Sequence, residues 1–320
     1  MKKKIFGILI ALMSVFVICM SVLSGCGRND RKNVETESVK ADAGEKKIVY
    51  TTFFPVYDLT KRIVGDKMEV KTIIKGSQEP HDFELQTSDM ADISKADMVV
   101  YNGANMENFI PDLKKAAKND DKFLDLSQGL TLLETSGDGL ETNKHDRVNP
   151  HTWLSVKNAQ VQLDTIYKKV VSMDPKNKDY YKANLESSLK EFKALDSRFE
   201  TELSKVKSKE KYFVVSHAAF NYLAKDYGLK QVAVTGISPE EEPSAKQLAT
   251  IADFVKKHNI STVFFEGKAT PKVAETLAKN TNTKTATLYT MESLTDAEVK
   301  MGYLKLMEHN LQELVKSFNE

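Results

Sequence analysis

The chain is nearly devoid of cysteine. Of its 320 residues only Cys19 and Cys26 carry a thiol, and both lie close to the N-terminus. If this segment is a leader that is removed on export, the folded part has no thiol apart from its own first residue. It can then form no internal disulfide and no thiolate metal site. A transition-metal site in this chain must therefore use imidazole and carboxylate ligands.

An excess of charge of one sign is also missing. The chain has 46 Lys and Arg residues against 45 Asp and Glu residues, so its formal net charge is +1. Because no overall positive field attracts nucleic acid, we expect no nucleic-acid partner. The length and the hydrophobic content of 41% suffice for a packed core and favour two domains over one.

The N-terminus has the layout of an export signal. Three lysines at positions 2–4 precede an apolar run over residues 5–22, and Leu23-Ser24-Gly25-Cys26 follows. This order predicts a signal peptide over residues 1–25 rather than a membrane-spanning helix. The last four residues resemble the bacterial lipobox, whose cysteine is lipidated. Cys26 is therefore the expected anchor, and the chain is expected outside the cytoplasm on the cell membrane. The alternative is that Cys26 is an ordinary small residue of a membrane anchor.

Residues 26–46 connect this anchor to the folded part. After Cys26 the segment is polar and charged, with almost no large apolar side chain. Such a composition predicts a flexible tether.

Strands alternate with helices in two successive series, which predicts an α/β fold with two lobes of Rossmann type and parallel sheets. An N-terminal lobe over residues 47–174 has expected strands at 48–52, 70–74, 98–101 and 123–124. A C-terminal lobe over residues 209–320 has expected strands at 212–215, 231–234, 262–265 and 285–289. A single helix over residues 296–318 is expected to close it.

A linker helix is expected between the two series, over residues 175–208. Neither Gly nor Pro occurs between residues 178 and 207, and the apolar positions recur in steps of three and four. Such a helix would be about 45 Å long, which is more than one small lobe needs. We interpret it as a rigid strut between two lobes. The alternative is a long helix packed on one domain.

A long loop over residues 127–149 precedes the linker region. Loops of this length are uncommon unless they are functional or mobile. This one contains Asp138, Glu141, His145 and Asp146. In a metal-binding protein these side chains could pass an ion to the main site, with His145 as an accessory ligand. A solvated surface loop is an equally good interpretation.

Three of the six histidines share one context, because each lies in a loop at or near the end of a strand. His81 and His217 follow strands of the first and second series, and His151 lies at the junction between them. Glu292 follows the last strand. Ligands of open α/β sheets bind beyond the carboxyl ends of the strands. Three imidazoles and one carboxylate make a complete tetrahedral set for Zn²⁺, whereas Mn²⁺ prefers more oxygen ligands.

Each of these residues also has an ordinary structural interpretation. A lone His is more often half-buried and satisfied by its own hydrogen bonds, and Glu292 could simply interact with a helix dipole. His258 and His309 fall within predicted helices, where solvated surface positions are expected.

Three sequence motifs give these residues a specific context. The stretches 79–84 (EPHDFE), 149–154 (NPHTWL) and 216–224 (SHAAFNYLA) occur in that order. They resemble the three His motifs of the zinc-uptake solute-binding lipoproteins of bacterial ABC transporters, the cluster 9 (A-I) family. Residues 238–244 and 272–278 resemble further segments of that family. The similarity covers about residues 46–320.

The resemblance implies two α/β lobes joined by one rigid helix, with a metal between them. It implies His81, His151 and His217 as ligands of a transported Zn²⁺, because manganese-binding relatives usually have a carboxylate in place of the third His. Glu292 is the expected fourth ligand, with Glu79 or a water as alternatives. The expected partner is a membrane permease, and the expected state is a monomer.

Two features depart from the family pattern. The loop over residues 127–149 has a single His, whereas many zinc-binding members have a His-rich loop there. Asn149 also replaces the usual Asp before the second Pro-His.

Three functions are compatible with the sequence. The first is a lipid-anchored zinc receptor that is not an enzyme and has no catalytic residue, with a manganese or iron receptor of the same family as its variant. The second is a zinc-dependent hydrolase. The third is a surface adhesion protein whose metal is structural.

Overall fold

The computed structural model describes residues 46–134, 148–266 and 271–320, with residues 271–273 described in their backbone only. The expected signal peptide, the lipidation site Cys26 and almost all of the tether lie outside the described residues. So do Asp138, Glu141, His145 and Asp146 of the long loop. Within the described ranges, no helix is both long enough and apolar enough to cross a membrane.

Eight strands form two parallel four-stranded sheets, as the alternation of strands and helices predicts. The first sheet has the order β2-β1-β3-β4 and consists of β1 (Ile48–Thr51), β2 (Glu69–Thr72), β3 (Met98–Tyr101) and β4 (Phe123–Asp125). The second has the equivalent order β6-β5-β7-β8 and consists of β5 (Tyr212–Val215), β6 (Lys230–Ala233), β7 (Thr262–Phe265) and β8 (Lys284–Thr287). The predicted two-lobed α/β fold is confirmed.

Ten helices are described around the two sheets. Those of the first half are α1 (Phe54–Val64), α2 (Thr87–Ile93), α3 (Ile110–Ala117), α4 (Val156–Met173) and α5 (Lys178–Ser204). Those of the second half are α6 (Asn221–Tyr227), α7 (Ala245–Lys257), α8 (Pro271–Thr281), α9 (Asp296–Met301) and α10 (Tyr303–Asn319). One of the three described 3-10 turns, Thr152–Leu154, lies just before α4.

Local sequence explains how several of these elements begin. Every residue of β3 is buried, as is common for a parallel strand with both faces covered. Pro55 lies in the first turn of α1, where a missing backbone N–H has no consequence. Ser244 and Gln247 form a reciprocal capping box at the start of α7.

The long helix α5 contacts elements of both lobes. Near its start, Asn184 donates to the backbone carbonyl of Ile63 at 2.9 Å. Near its end, Arg198 pairs with Glu308 of α10 at 2.7 Å. These contacts on both sides support the strut interpretation over that of a helix packed on a single domain.

The expectation of one helix over residues 296–318 is wrong. Gly302 interrupts it with φ 80° and ψ 161°, a conformation essentially confined to glycine. The break separates α9 from α10 and lets the backbone N–H of Tyr303 donate to Asp58 of α1 at 3.3 Å. The sequence pattern did not predict α2, which is only 7 residues long.

Several hydrogen bonds connect the two lobes close to the carboxyl ends of their strands. Trp153 donates its indole N–H to the carbonyl of Thr290 at 2.7 Å, and the Tyr303 hydroxyl donates to the carbonyl of Trp153 at 2.5 Å. The backbone N–H of Leu294 donates to the carbonyl of Gly76 at 2.9 Å. Trp153 and Tyr303 are almost fully buried, so these bonds hold the loops between the lobes in one arrangement.

Candidate metal centre

Four predicted side chains converge on one point between the lobes. The candidate ligand atoms of His81, His151, His217 and Glu292 all lie within 4.8 Å of one another. The Nε2 atom of His151 lies 3.2 Å from Nε2 of His81 and 3.1 Å from Nε2 of His217. One Glu292 oxygen lies 3.0 Å from His81 Nε2 and 2.9 Å from His151 Nε2. The other lies 3.3 Å from His217 Nε2.

These separations suit a tetrahedral zinc site. Ligands at about 2.0–2.1 Å from a tetrahedral ion lie roughly 3.3–3.4 Å from one another. The contacts given above are 2.9–3.3 Å. A small inward or outward adjustment of the side chains would therefore fit an ion among them.

His81 reaches the cluster from the turn-rich loop after β2. Its backbone N–H donates to Glu79 at 3.1 Å. The side chain of His81 is 9% exposed, whereas the other three side chains are at most 1% exposed. The ring of His81 therefore forms the solvent side of the centre.

His151 is oriented by Asn149. The Asn149 side-chain oxygen accepts from the ring Nδ1 of His151 at 2.8 Å and from its backbone N–H at 3.0 Å. The Asn149 amide N–H₂ donates to Ala218, at 3.0 Å from the carbonyl oxygen, and to Asn221. Asn149 thus joins the His151 loop to the segment just after His217.

The side-chain amide of a second residue, Asn102, hydrogen-bonds to the loop that carries His151. Asn102, the residue directly after β3, donates to the carbonyl of Pro150 at 2.8 Å and accepts from the Thr152 hydroxyl at 2.8 Å. Asn102 is itself fixed by the buried carboxyl of Glu107, which accepts from its backbone N–H at 2.7 Å. Burial raises the pKa of Glu107 to about 7.

His217 is the second residue after β5. Its ring is hydrogen-bonded to Glu266, the first residue after β7. A Glu266 oxygen lies 2.6 Å from the ring Nδ1 of His217 and accepts from the Ser216 hydroxyl at 2.7 Å. β5 and β7 are neighbours in the sheet, so the topology places these two residues side by side.

Glu292 is positioned by an unusual backbone. Met291 has φ 65°, which is uncommon for a residue other than glycine, and its side chain is fully buried. Two residues before Glu292, the carbonyl of Thr290 accepts a hydrogen bond from the Trp153 indole. The strained turn therefore directs the Glu292 carboxylate inward, where one of its oxygens is buried without a hydrogen bond.

Hydrogen bonding fixes the tautomers of two of the rings. A carboxylate such as that of Glu266 only accepts, so Nδ1 of His217 is the donor. The Asn149 oxygen likewise accepts from His151, because its N–H₂ group already has partners. Both rings then present Nε2 to each other at 3.1 Å. Two unprotonated Nε2 atoms cannot bond each other, so a proton or a metal cation must lie between them.

The electrostatics agree with this requirement. Burial lowers the pKa of His151 to about 4, although Glu292 opposes the effect. Burial alone would also lower the pKa of His217, but Glu266 and Glu292 outweigh it and raise that pKa well above its usual range. Burial would raise the pKa of Glu292, yet His217 and His151 hold it well below normal. The centre attracts positive charge.

The remaining candidates lie apart from this cluster. The Glu79 carboxylate contacts the His81 backbone and is not among the four convergent ligands. Burial, followed by the charge of Glu292, raises the pKa of Glu79 to about 7. His258 and His309 are half-buried and bonded to Glu210 and to the Thr287 carbonyl, so the expectation that they are solvated is wrong.

The molecule has two α/β lobes, each with a parallel sheet, and one helix that contacts both lobes. Three imidazoles and a carboxylate lie between the lobes. These features define a class of protein, the two-lobed solute-binding proteins with a site for a transition-metal ion. The family model described as zinc-uptake complex component A, periplasmic (ZnuA), matches residues 49–317. The chain belongs to this family.

Individual relatives agree. The chain is 38% identical to the high-affinity zinc uptake system protein ZnuA of Bacillus subtilis, over 95% of this chain and 96% of that protein. It is 37% identical to the zinc-binding lipoprotein AdcA of Streptococcus pneumoniae, over 88% of this chain, but spans only 58% of AdcA.

Solved structures give the same fold. The Zn(II)-bound ZnuA-like domain of AdcA from S. pneumoniae is 36% identical, with a TM-score of 0.74 over 86% of this chain and 100% of that domain. The laminin-binding protein Lmb of Streptococcus agalactiae, described as having adhesin and metal-transporting activity, is 35% identical, with a TM-score of 0.75 over 85% of this chain and 99% of Lmb.

Proposed function

We propose that this protein is the extracytoplasmic zinc receptor of an ABC importer. It captures Zn²⁺ with His81, His151, His217 and Glu292 and delivers the ion to a permease in the cytoplasmic membrane. One observation carries the proposal: four predicted ligands, from loops far apart in sequence, present their donor atoms to one buried point. Membership in the zinc-uptake family and the Zn(II)-bound AdcA domain support the choice of metal.

The donor set also favours zinc over manganese. Three nitrogens and one carboxylate suit a tetrahedral Zn²⁺, whereas Mn²⁺ prefers a larger share of oxygen. The backing of His217 by a carboxylate and of His151 by an amide fits metal-binding histidines, which donate their second ring N–H in this way.

The same set argues against a hydrolase. A catalytic zinc keeps one position open for an activated water. If all four side chains bind the ion, no position is left for a water. A receptor needs only selective binding and release, which a closed protein site supplies.

The proposal includes an arrangement of the whole chain. Residues 1–25 are a signal peptide, and residues 26–46 are the lipidated Cys26 and a tether. Residues 47–174 and 209–320 are the lobes, and 175–208 is the linker. The protein works as a monomer. Glu79 and His145 are possible accessory residues that an incoming ion meets first.

Direct titration tests the binding step. The purified protein, stripped of metal with a chelator, should bind one Zn²⁺ per chain, and His217→Ala should weaken binding by more than the 10- to 100-fold typical of changes to residues behind a ligand. His309→Ala, which removes an imidazole outside the cluster, is the matched control and should bind normally. Equal affinity in the His217 and His309 variants would refute the site.

The chain also provides a control for the anchor. Cys26→Ser should move the protein from the membrane fraction to the medium or the soluble fraction, since lipidation supplies the attachment. Cys19→Ser should not. Membrane retention of the Cys26 variant would exclude the lipoprotein proposal without affecting the zinc site.

The likeness to Lmb supports adhesion as a second candidate function. Binding of the purified protein to immobilised laminin, measured with and without zinc, tests it. No binding in either state would remove this candidate.

A further inference from the structure

The net charge of a zinc-loaded centre calls for a charged group in addition to the four ligands. A Zn²⁺ ion held by three neutral imidazoles and the Glu292 carboxylate retains one net positive charge. His151 and His217 are fully buried, so such a charge would be costly unless another group compensates it. Among the described hydrogen-bond partners of the two buried rings, apart from Glu292, Glu266 is the charged group, since Asn149 is a neutral amide.

Glu266 is itself built into the protein. Glu266 is 6% exposed, and its carboxylate accepts hydrogen bonds from the Ser216 hydroxyl and from the ring of His217. It lies in contact with a ligand ring but not among the four ligands themselves.

The fold does not require a carboxylate at this place. Glu266 directly follows β7, and the equivalent position of the first sheet, directly after β3, is occupied by Asn102. Both residues support a loop that carries a ligand, and Asn102 does so as a neutral amide. The carboxylate of Glu266 is therefore explained by its charge more than by its shape.

We propose that Glu266 is a positioning and specificity-determining residue that orients His217 and supplies the counter-charge for a divalent ion. This inference rests on the proposed zinc-receptor function. A Coulomb energy scales with the product of the charges. Loss of the Glu266 charge should therefore weaken binding of a divalent ion to the unprotonated site by twice as many decades as binding of a monovalent ion to the same unprotonated site.

The test compares Zn²⁺ with Ag⁺, a monovalent ion that also binds imidazole, in nitrate buffers at one pH, with each affinity corrected for the proton that the ion displaces from His217. Glu266→Gln keeps the size of the side chain and an oxygen that accepts from Ser216 and His217. We expect it to weaken Zn²⁺ binding by about 10- to 100-fold, as changes behind a metal ligand do. Ag⁺ binding should fall by only about 3- to 10-fold, so the Zn²⁺/Ag⁺ affinity ratio falls at least threefold.

A matched control removes a carboxylate that contacts a histidine outside the metal centre. Glu210 lies 2.8 Å from Nδ1 of His258, so it also forms a carboxylate–histidine pair, but one outside the metal centre. Glu210→Gln should change neither affinity.

A purely structural role predicts a different result. It would weaken both ions alike, and an unchanged Zn²⁺/Ag⁺ ratio in Glu266→Gln overturns the inference, as does unchanged Zn²⁺ affinity. Should this variant not fold, as judged by thermal unfolding of the metal-free form, Glu266→Asp replaces it. Asp keeps the charge, so the ratio should stay within twofold even if both affinities fall, and a lower ratio overturns the inference. If the unaltered protein binds no zinc, the proposed function fails as well.

Discussion

Zinc affinity should change steeply with pH between pH 7 and pH 8. In the metal-free protein the pKa of His217 is raised well above its usual 6.5, because Glu266 and Glu292 outweigh the effect of burial. The pKa of His151 is lowered to about 4, so His151 carries no proton in this range. Zinc needs the lone pair of His217 Nε2 and must displace the proton held there.

The magnitude follows from linkage. Displacing one proton makes the binding constant rise about tenfold per pH unit, or about 1.4 kcal/mol, as long as the pH lies below the pKa of His217. Imidazoles with ordinary pKa values would be almost free of protons above pH 7 and would give a nearly flat profile. Glu79, whose pKa is about 7, also loses protons beside the centre in this range. In a Glu79→Gln background, the range from pH 7 to pH 8 therefore separates a carboxylate-backed His217 from an ordinary ligand.

Two assays measure this effect. Competition with a chromophoric chelator at pH 7.0, 7.5 and 8.0 gives the slope, after correction for protonation of the chelator. Calorimetry in two buffers of different ionisation enthalpy gives the number of protons released, which should be close to one. A flat affinity profile together with no proton release would refute the reasoning about His217.

Three further predictions concern stability. The metal-free protein should lose thermal stability as the pH rises above 6.5. The pKa of His217 is raised in the folded protein, so its protonated form stabilises the fold fully below the unfolded pKa, and this contribution is lost as the pH rises through the folded pKa. A constant melting temperature would contradict this. Free zinc at 100 times Kd should stabilise the protein by about 2.7 kcal/mol, raising Tm by about 5 °C in a thermal scan, and His217→Ala should abolish the shift. Gly302→Ala should lower the free energy of unfolding by about 1–3 kcal/mol in urea, because φ 80° with ψ 161° suits glycine alone, and equal stability would contradict that strain.

The sequence predicted the lobes well because their strands are short, apolar and separated by helices. Residues 98–101 and 212–215 were predicted to the residue and are observed as β3 and β5. The break at Gly302 was missed, because the apolar pattern continues through it and the reason for it is a contact with Asp58, which lies far away in the sequence.

In the candidate metal centre, too, some residues were predicted from the sequence and others were not. His81, His151, His217 and Glu292 were predicted because each lies near the end of a strand or in a Pro-containing loop and because the surrounding motifs resemble those of the zinc-uptake family. The structure brings all four together. The residues behind them were missed. Glu266 and Asn102 carried a usable signal, since each directly follows a strand, but which ring or loop each one supports depends on the order of strands in the sheets, which the sequence does not state.

The proposed zinc site is tested most directly by a crystal structure of the zinc-loaded protein with anomalous data at the zinc edge. We expect one strong peak bonded to Nε2 of His81, His151 and His217 at about 2.0–2.1 Å and to a Glu292 oxygen at about 2.0–2.2 Å. A peak bonded to fewer than three of these imidazoles, or one located elsewhere in the chain, would contradict it.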